Sequence, residues 1–288
     1  AVGGRLAATH GVSITYLASG AVCLLASVVA LLLREANAPA RRGVSPVAVY
    51  RQMAGSARVV VTHRPLLFAV LFSTLMFTLL RMGIYLHQPW LSTAGFDLAR
   101  TGDLMALLSL AAALGAARID DLRRLTGERA LVVLLPATLG VTYAVLGGHF
   151  AWWGIAMLAL QSFVNGVYSP FSKELLNREI LDSSHRATVL SVESMVRRLA
   201  FGAFAPLAGL AIDRFGGSKG GGLGAGFYAC AVLGLAGAFV LAARVARRRL
   251  SFGTGFEGER TPTPLPELRA AALAEPAVVR APRSSIDG

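Results

Sequence analysis

Thr74, Thr78, Arg81, Tyr85 and Gln88 follow one another at spacings of 4, 3, 4 and 3 inside one apolar stretch of this 288-residue chain. That rhythm sets all five on one face of a helix. Hydroxyls, an amide, a phenol and a guanidinium on one stripe can hold a polar solute, and in an apolar helix they need protein or water in front of them. The plainer account has Arg81 snorkelling to an interface while the threonines bond their own backbone. Gln161, Asn165, Tyr168 and Ser172 repeat the spacing of 4, 3 and 4. Their amides suit a bound solute or hydrogen bonds between helices equally well. Glu193 precedes Arg197 by four residues, the favourable order for a helical ion pair, with Arg198 beside it. As the most interior carboxylate, Glu193 is a candidate for coupling transport to a proton, and a structural pair with Arg197 is the alternative.

Enzymatic chemistry finds little support. His10, His63, His87, His149 and His185 fall on separate segments, and no HExxH, GxSxG or Walker-type phosphate loop occurs. The run 216–222, GGSKGGG, lacks the Gly-Lys-Ser/Thr order and reads as a flexible loop. Cys23 and Cys230 both sit in apolar runs, so no disulfide framework and no CxxC site is available. No catalytic residue, metal or cofactor is expected.

The elements that carry these residues follow from composition. Hydrophobic residues make up 55% of the chain and charged residues 15%, too apolar a balance for a soluble domain of this size. A bilayer core about 30 Å thick takes roughly 20 helical residues. Seven stretches approach that length, at 12–33, 65–88, 101–117, 130–147, 151–171, 188–212 and 223–245. The first, fourth and seventh carry no charge over their apolar cores and read as peripheral, lipid-facing helices. The polar stripes leave the others to line a cavity.

The net charge of +12 points to topology rather than to nucleic acid. Seventeen basic residues fall on alternate loops, before the second span, after the third, after the fifth and after the last. The intervening loops hold only Arg100, Arg214 and Lys219. The positive-inside rule therefore assigns the richer set, and the C-terminus, to the cytoplasm. Residues 1–33 form the end of one bundle, 34–64 a cytoplasmic linker, 65–250 a six-helix bundle, and 251–288 a Pro- and Ala-rich disordered tail. In the linker, Ser45 and Pro46 begin an amphipathic helix whose Arg51 and Arg58 suit lipid head groups or plain solvation. The opening AVGGRLAATHG has no signal-peptide pattern and does not begin with Met, so the chain is expected to be truncated upstream.

Three stretches resemble the major facilitator superfamily. The loop 115–129, GAARIDDLRRLTGER, is similar to the family's acidic and basic loop between helices 8 and 9, with Asp120 and Asp121 ahead of Arg123 and Arg124. The run 186–194, RATVLSVES, followed by PLAG at 206–209 and DRFG at 213–216, resembles helix 11. The run 165–170, NGVYSP, resembles the cytoplasmic half of helix 10. The resemblance covers residues 1–250 and implies an all-α membrane bundle whose seven spans match helices 6–12 of a twelve-helix fold. It implies a secondary transporter of a small solute by alternating access, with proton coupling and export as further expectations. In the family, helices 7, 8, 10 and 11 line the cavity, which here would bring Thr78, Arg81, Tyr85, Gln88, Gln161, Asn165 and Tyr168 together. Glu193 with Arg197 would serve coupling, and Asp120, Asp121, Arg123 and Arg124 a cytoplasmic latch. The expected partners are a small-molecule substrate, a proton and membrane lipids, with no nucleic acid, in a bacterial inner membrane. A seven-helix receptor or membrane scaffold is the alternative, and a membrane-embedded enzyme a more distant one.

Overall fold

The computed structural model describes residues 2–32, 55, 57–58, 60–148, 153–180, 186–215 and 221–247. Among them every regular element is an α-helix. In chain order these are α1 (Val2–His10), α2 (Val12–Leu32), α3 (Arg64–Thr93), α4 (Leu98–Ala117), α5 (Ile119–Thr126), α6 (Glu128–Gly148), α7 (Gly154–Glu179), α8 (Arg186–Phe215) and α9 (Gly221–Arg247). The tail 251–288 and most of the linker, including Ser45, Pro46 and Arg51 of the helix expected there, lie outside the described residues, while Ala57, Arg58 and Val60 of that helix are described and helical.

Among the described residues six helices, α2, α3, α4, α6, α8 and α9, are long and apolar enough to cross a bilayer, which fits an integral membrane protein. The sequence spacing predicts seven. The difference is α7, whose 26 residues suffice in length but include Gln161, Ser162, Asn165 and Ser172 among the apolar ones. The two short helices, α1 and α5, carry no bilayer-length signal and are absent from the sequence expectation.

Local chemistry sets the breaks. Pro65 sits in the first turn of α3, after an extended His63, where a missing N–H costs nothing. Asp97 caps α4, its carboxylate accepting the Arg100 N–H at 2.7 Å. The α3–α4 and α5–α6 turns pass through Gly95 (φ 84°) and Gly127 (φ 79°), a region most side chains avoid.

Lipid tails offer helices no hydrophobic drive toward one another, so close packing depends on small residues. At the α6–α9 contact a Cβ on Gly234 would stand 2.8 Å from the Gly140 Cα, and one on Gly224 would stand 2.7 Å from the Gly147 carbonyl. At the α4–α7 contact, Gly115 backs onto the Phe163 carbonyl and Gly166 onto the Ala112 carbonyl. More than half of the apolar stretch of α6 is buried, with Tyr143, Leu139 and Leu146 wholly enclosed. The fourth span is thus a core helix rather than a peripheral one. A helix without charged residues serves lipid or a packed interior equally, and its glycines decide for the interior. By contrast α2 buries no residue, and α8 buries only Val189, Val192, Glu193 and Ala208.

Candidate functional site: a cavity between four helices

A cavity of about 310 Å³ opens between α3, α4, α6 and α7. α3 contributes Phe77, Leu80, Arg81, Ile84 and His87, and α4 contributes Met105, Leu108, Ser109 and Ala112. α6 gives Tyr143, while α7 gives Gln161, Ser162, Asn165 and Tyr168. The wall is mostly apolar with a few convergent polar groups, the usual make-up of a small-molecule site.

The tight α4–α7 crossing at Ala112 and Gly166 brings two faces of the wall together. On α3, Gly83 leaves room for Tyr143, because a Cβ there would stand 2.7 Å from the Tyr143 Oη. The Tyr143 hydroxyl instead donates to the Leu79 carbonyl at 2.6 Å, tying α6 to α3.

One polar chain crosses the cavity wall. His87 Nε2 lies 2.7 Å from Gln161 Oε1, the Gln161 amide donates to Thr142 Oγ1 at 2.9 Å, and Thr142 donates to the Leu139 carbonyl at 2.8 Å. Because the last acceptor is a backbone carbonyl, the polarity of the chain is fixed: each group donates onward, and His87 carries its proton on Nε2. Gln161 thereby has its oxygen and its nitrogen each bonded to protein, whereas Asn165 stands exposed at the cavity with its amide unengaged among the described residues.

Beneath the cavity lies a second buried cluster. The Ser73 hydroxyl donates to Glu193 Oε1 at 2.5 Å, and the Tyr168 hydroxyl donates to the Ser73 carbonyl at 3.1 Å. Arg197 Nε approaches the same Glu193 oxygen at 2.9 Å, a charge contact without hydrogen-bond alignment. Its guanidinium lies over the Phe77 ring, 5.0 Å from the centroid. Glu193 is 3% exposed; its expected pair with Arg197 is present within α8, and the Ser73 bond and the Phe77 contact join that pair to α3.

The structure divides the α3 stripe. Arg81 lines the cavity, Thr78 is buried and bonds the Thr74 carbonyl at 2.9 Å, and Tyr85 and Gln88 are exposed away from the cavity. Tyr85 stacks on Phe201 of α8, 5.9 Å between centroids. His87 and Ser109 belong to the site and escape the polar-stripe reading. The face Phe77, Leu80, Ile84, His87 turns about a quarter of a turn from it and is mostly apolar.

The expected latch also takes another form. Arg123 bonds Glu128 and Glu174, the latter at 2.7 and 3.0 Å, and Arg178 bonds Glu128 at 2.9 and 3.0 Å and Glu174 at 3.0 Å. Two arginines and two glutamates thus join α5, α6 and α7. Burial alone would lower the Arg123 pKa, but the bonds and charges of the two glutamates outweigh it and raise it above the usual value. Asp121 pairs only with Arg118 at 3.7 Å, and Asp120 and Arg124 make no ion pair among the described residues. The spacing signal was present in Glu174 and Arg178, four residues apart on α7.

Among the described residues no group of three His, Cys, Asp or Glu side chains is placed to hold a metal. Comparison with protein-family models, with curated proteins and with solved structures finds no match.

Proposed function

We propose that this chain forms the solute-binding half of a secondary transporter of the major facilitator type, working by alternating access with a proton as the coupled ion. In this reading α7 crosses the bilayer as a seventh span, its amides turned to the protein, and the seven long helices correspond to the last seven of that twelve-helix fold. The cavity carries the reading: a chamber lined by Arg81, His87, Asn165 and Tyr168 inside a bundle of apolar helices. Polar groups at such depth are costly and mark solute or ion paths. Further support comes from the alternation of basic loops, which fits a C-terminus in the cytoplasm. The buried Ser73, Tyr168 and Glu193 cluster puts a carboxylate directly under the chamber, where a coupled proton would be held.

The test is solute counterflow in proteoliposomes holding the product of the full reading frame, over a panel of labelled carboxylates, amines and neutral solutes. A transporter exchanges at least one class and loses that exchange in Ser109→Phe, which fills the cavity from an exposed position. Absence of exchange across all classes by a folded protein contradicts transport.

A further inference from the structure

We infer that the cavity is selective for an amphipathic organic anion, a single carboxylate-like group on an apolar body. The inference rests on the transporter reading and adds the substrate class to it.

Arg81 carries the argument. α3 has 30 residues, about 45 Å at 1.5 Å per residue, and Arg81 lies within about 4 Å of its middle. With roughly the central 20 residues in the hydrocarbon core, the Arg81 Cα is about 11 Å from the nearer head-group boundary. That is further than an arginine stem extends, so snorkelling does not satisfy its guanidinium. Among the described residues Arg81 makes no ion pair and no hydrogen bond, and its only partner is the Tyr85 ring, 6.0 Å to the centroid. Glu193 at comparable depth is matched by Arg197, while Arg198 at that depth is exposed on α8 and lies outside the cavity. A guanidinium at bilayer depth with five free donors calls for an acceptor, and its planar fork fits a carboxylate.

The rest of the wall agrees on sign and shape. The cavity residues include Arg81 and no carboxylate. The Asn165 amide can donate to the same anion, while Phe77, Leu80, Met105 and Leu108 offer an apolar bed for its body. A volume of about 310 Å³ is at the small end for ligand pockets, which run from about 300 to 1,000 Å³. An organic amine would meet an unpaired cation there, and a sugar would leave its hydroxyls against hydrocarbon.

The test measures equilibrium binding of three isosteres to the protein in phosphatidylcholine nanodiscs: 2-naphthoate, 2-naphthamide and 2-naphthylmethylammonium. The expected result is binding of naphthoate at least tenfold tighter than of the other two. Arg81→Gln should remove that preference, and Arg81→Lys, which keeps the charge, should retain part of it. Equal binding of naphthoate and naphthamide, unaffected by Arg81→Gln, overturns the anion class while leaving a solute cavity. Failure of all three to bind a folded protein overturns the solute cavity and this inference with it. Displacement of naphthoate by phosphatidylglycerol in the disc, relieved by Arg81→Gln, assigns the site to a lipid phosphate and overturns a soluble substrate.

Discussion

Ser73 serves two neighbours at once, its hydroxyl satisfying the Glu193 carboxylate and its carbonyl accepting from Tyr168. Removing a neutral donor from a carboxylate that is 3% exposed leaves that charge short of hydrogen bonds in a poor solvent. Ser73→Ala is therefore expected to cost about 1–3 kcal/mol, read as a lower Tm in detergent; an unchanged Tm would contradict the role. The two amides of α7 separate in the same way. Gln161 is buried and bonded on both sides, so Gln161→Leu strands His87 and Thr142 and lowers stability by about 1–3 kcal/mol. Asn165 is exposed, so Asn165→Leu changes stability by less than about 0.5 kcal/mol and instead weakens solute binding, which thermal unfolding and binding measured on one sample would tell apart. These residues were legible as a helical stripe, but their roles were not. Spacing shows which side chains share a face, whereas whether an amide is free or spent depends on what the neighbouring helix presents. His87 stayed hidden because a lone histidine one position from a polar stripe has no periodic signal of its own.

Contact between helices depends on residues that periodicity reads poorly. Gly140 and Gly234 let α6 and α9 touch backbone to backbone, and Gly115 and Gly166 do the same for α4 and α7. Gly234→Leu forces side-chain atoms into the Gly140 backbone, an overpacking cost of about 1–3 kcal/mol. The same change at Gly209 of α8, where a Cβ meets nothing within 4 Å, is expected to cost little. Thermal unfolding of the two variants side by side checks the contrast, and equal losses would contradict this packing. Where the start of α6 meets the end of α7, Glu128 and Arg178 are partly buried and doubly bonded. A double-mutant cycle between them is expected to give a coupling of up to about 1 kcal/mol, the upper range for partly exposed pairs, and Asp120 with Arg124 none. The apolar runs place most ends of the long helices within a few residues, but α3 runs five residues past the expected 88 and α7 eight past the expected 171. They misjudged α6, because a run of Ala, Val, Leu and Gly without charge fits lipid or a helix partner equally. The short α5 escaped because eight residues are too few for a hydropathy signal.

At the scale of the whole molecule, the six bilayer-length apolar helices among the described residues fit an integral membrane protein, and the uneven distribution of arginine over the loops predicts a sidedness. That prediction rests on loop charge alone. Arg124, exposed and outside the ionic network, should become a cysteine that reacts only with reagent on the cytoplasmic side; reaction from outside would invert the topology. That the bundle encloses a chamber could not be read from hydropathy, since chamber and lipid face are both lined by apolar side chains. The chamber is where a transporter, a receptor and a scaffold make different demands. Its most direct test is labelling of Ser109→Cys, in a background with Cys23→Ala and Cys230→Ala, by a membrane-impermeant maleimide in right-side-out and in inverted vesicles. Alternating access predicts that the Ser109→Cys thiol reacts from both sides and that a Val232→Cys thiol on the apolar outer face of α9 reacts from neither. Reaction from one side only would describe a receptor pocket, and no reaction from either side would contradict a solvent-reached chamber altogether.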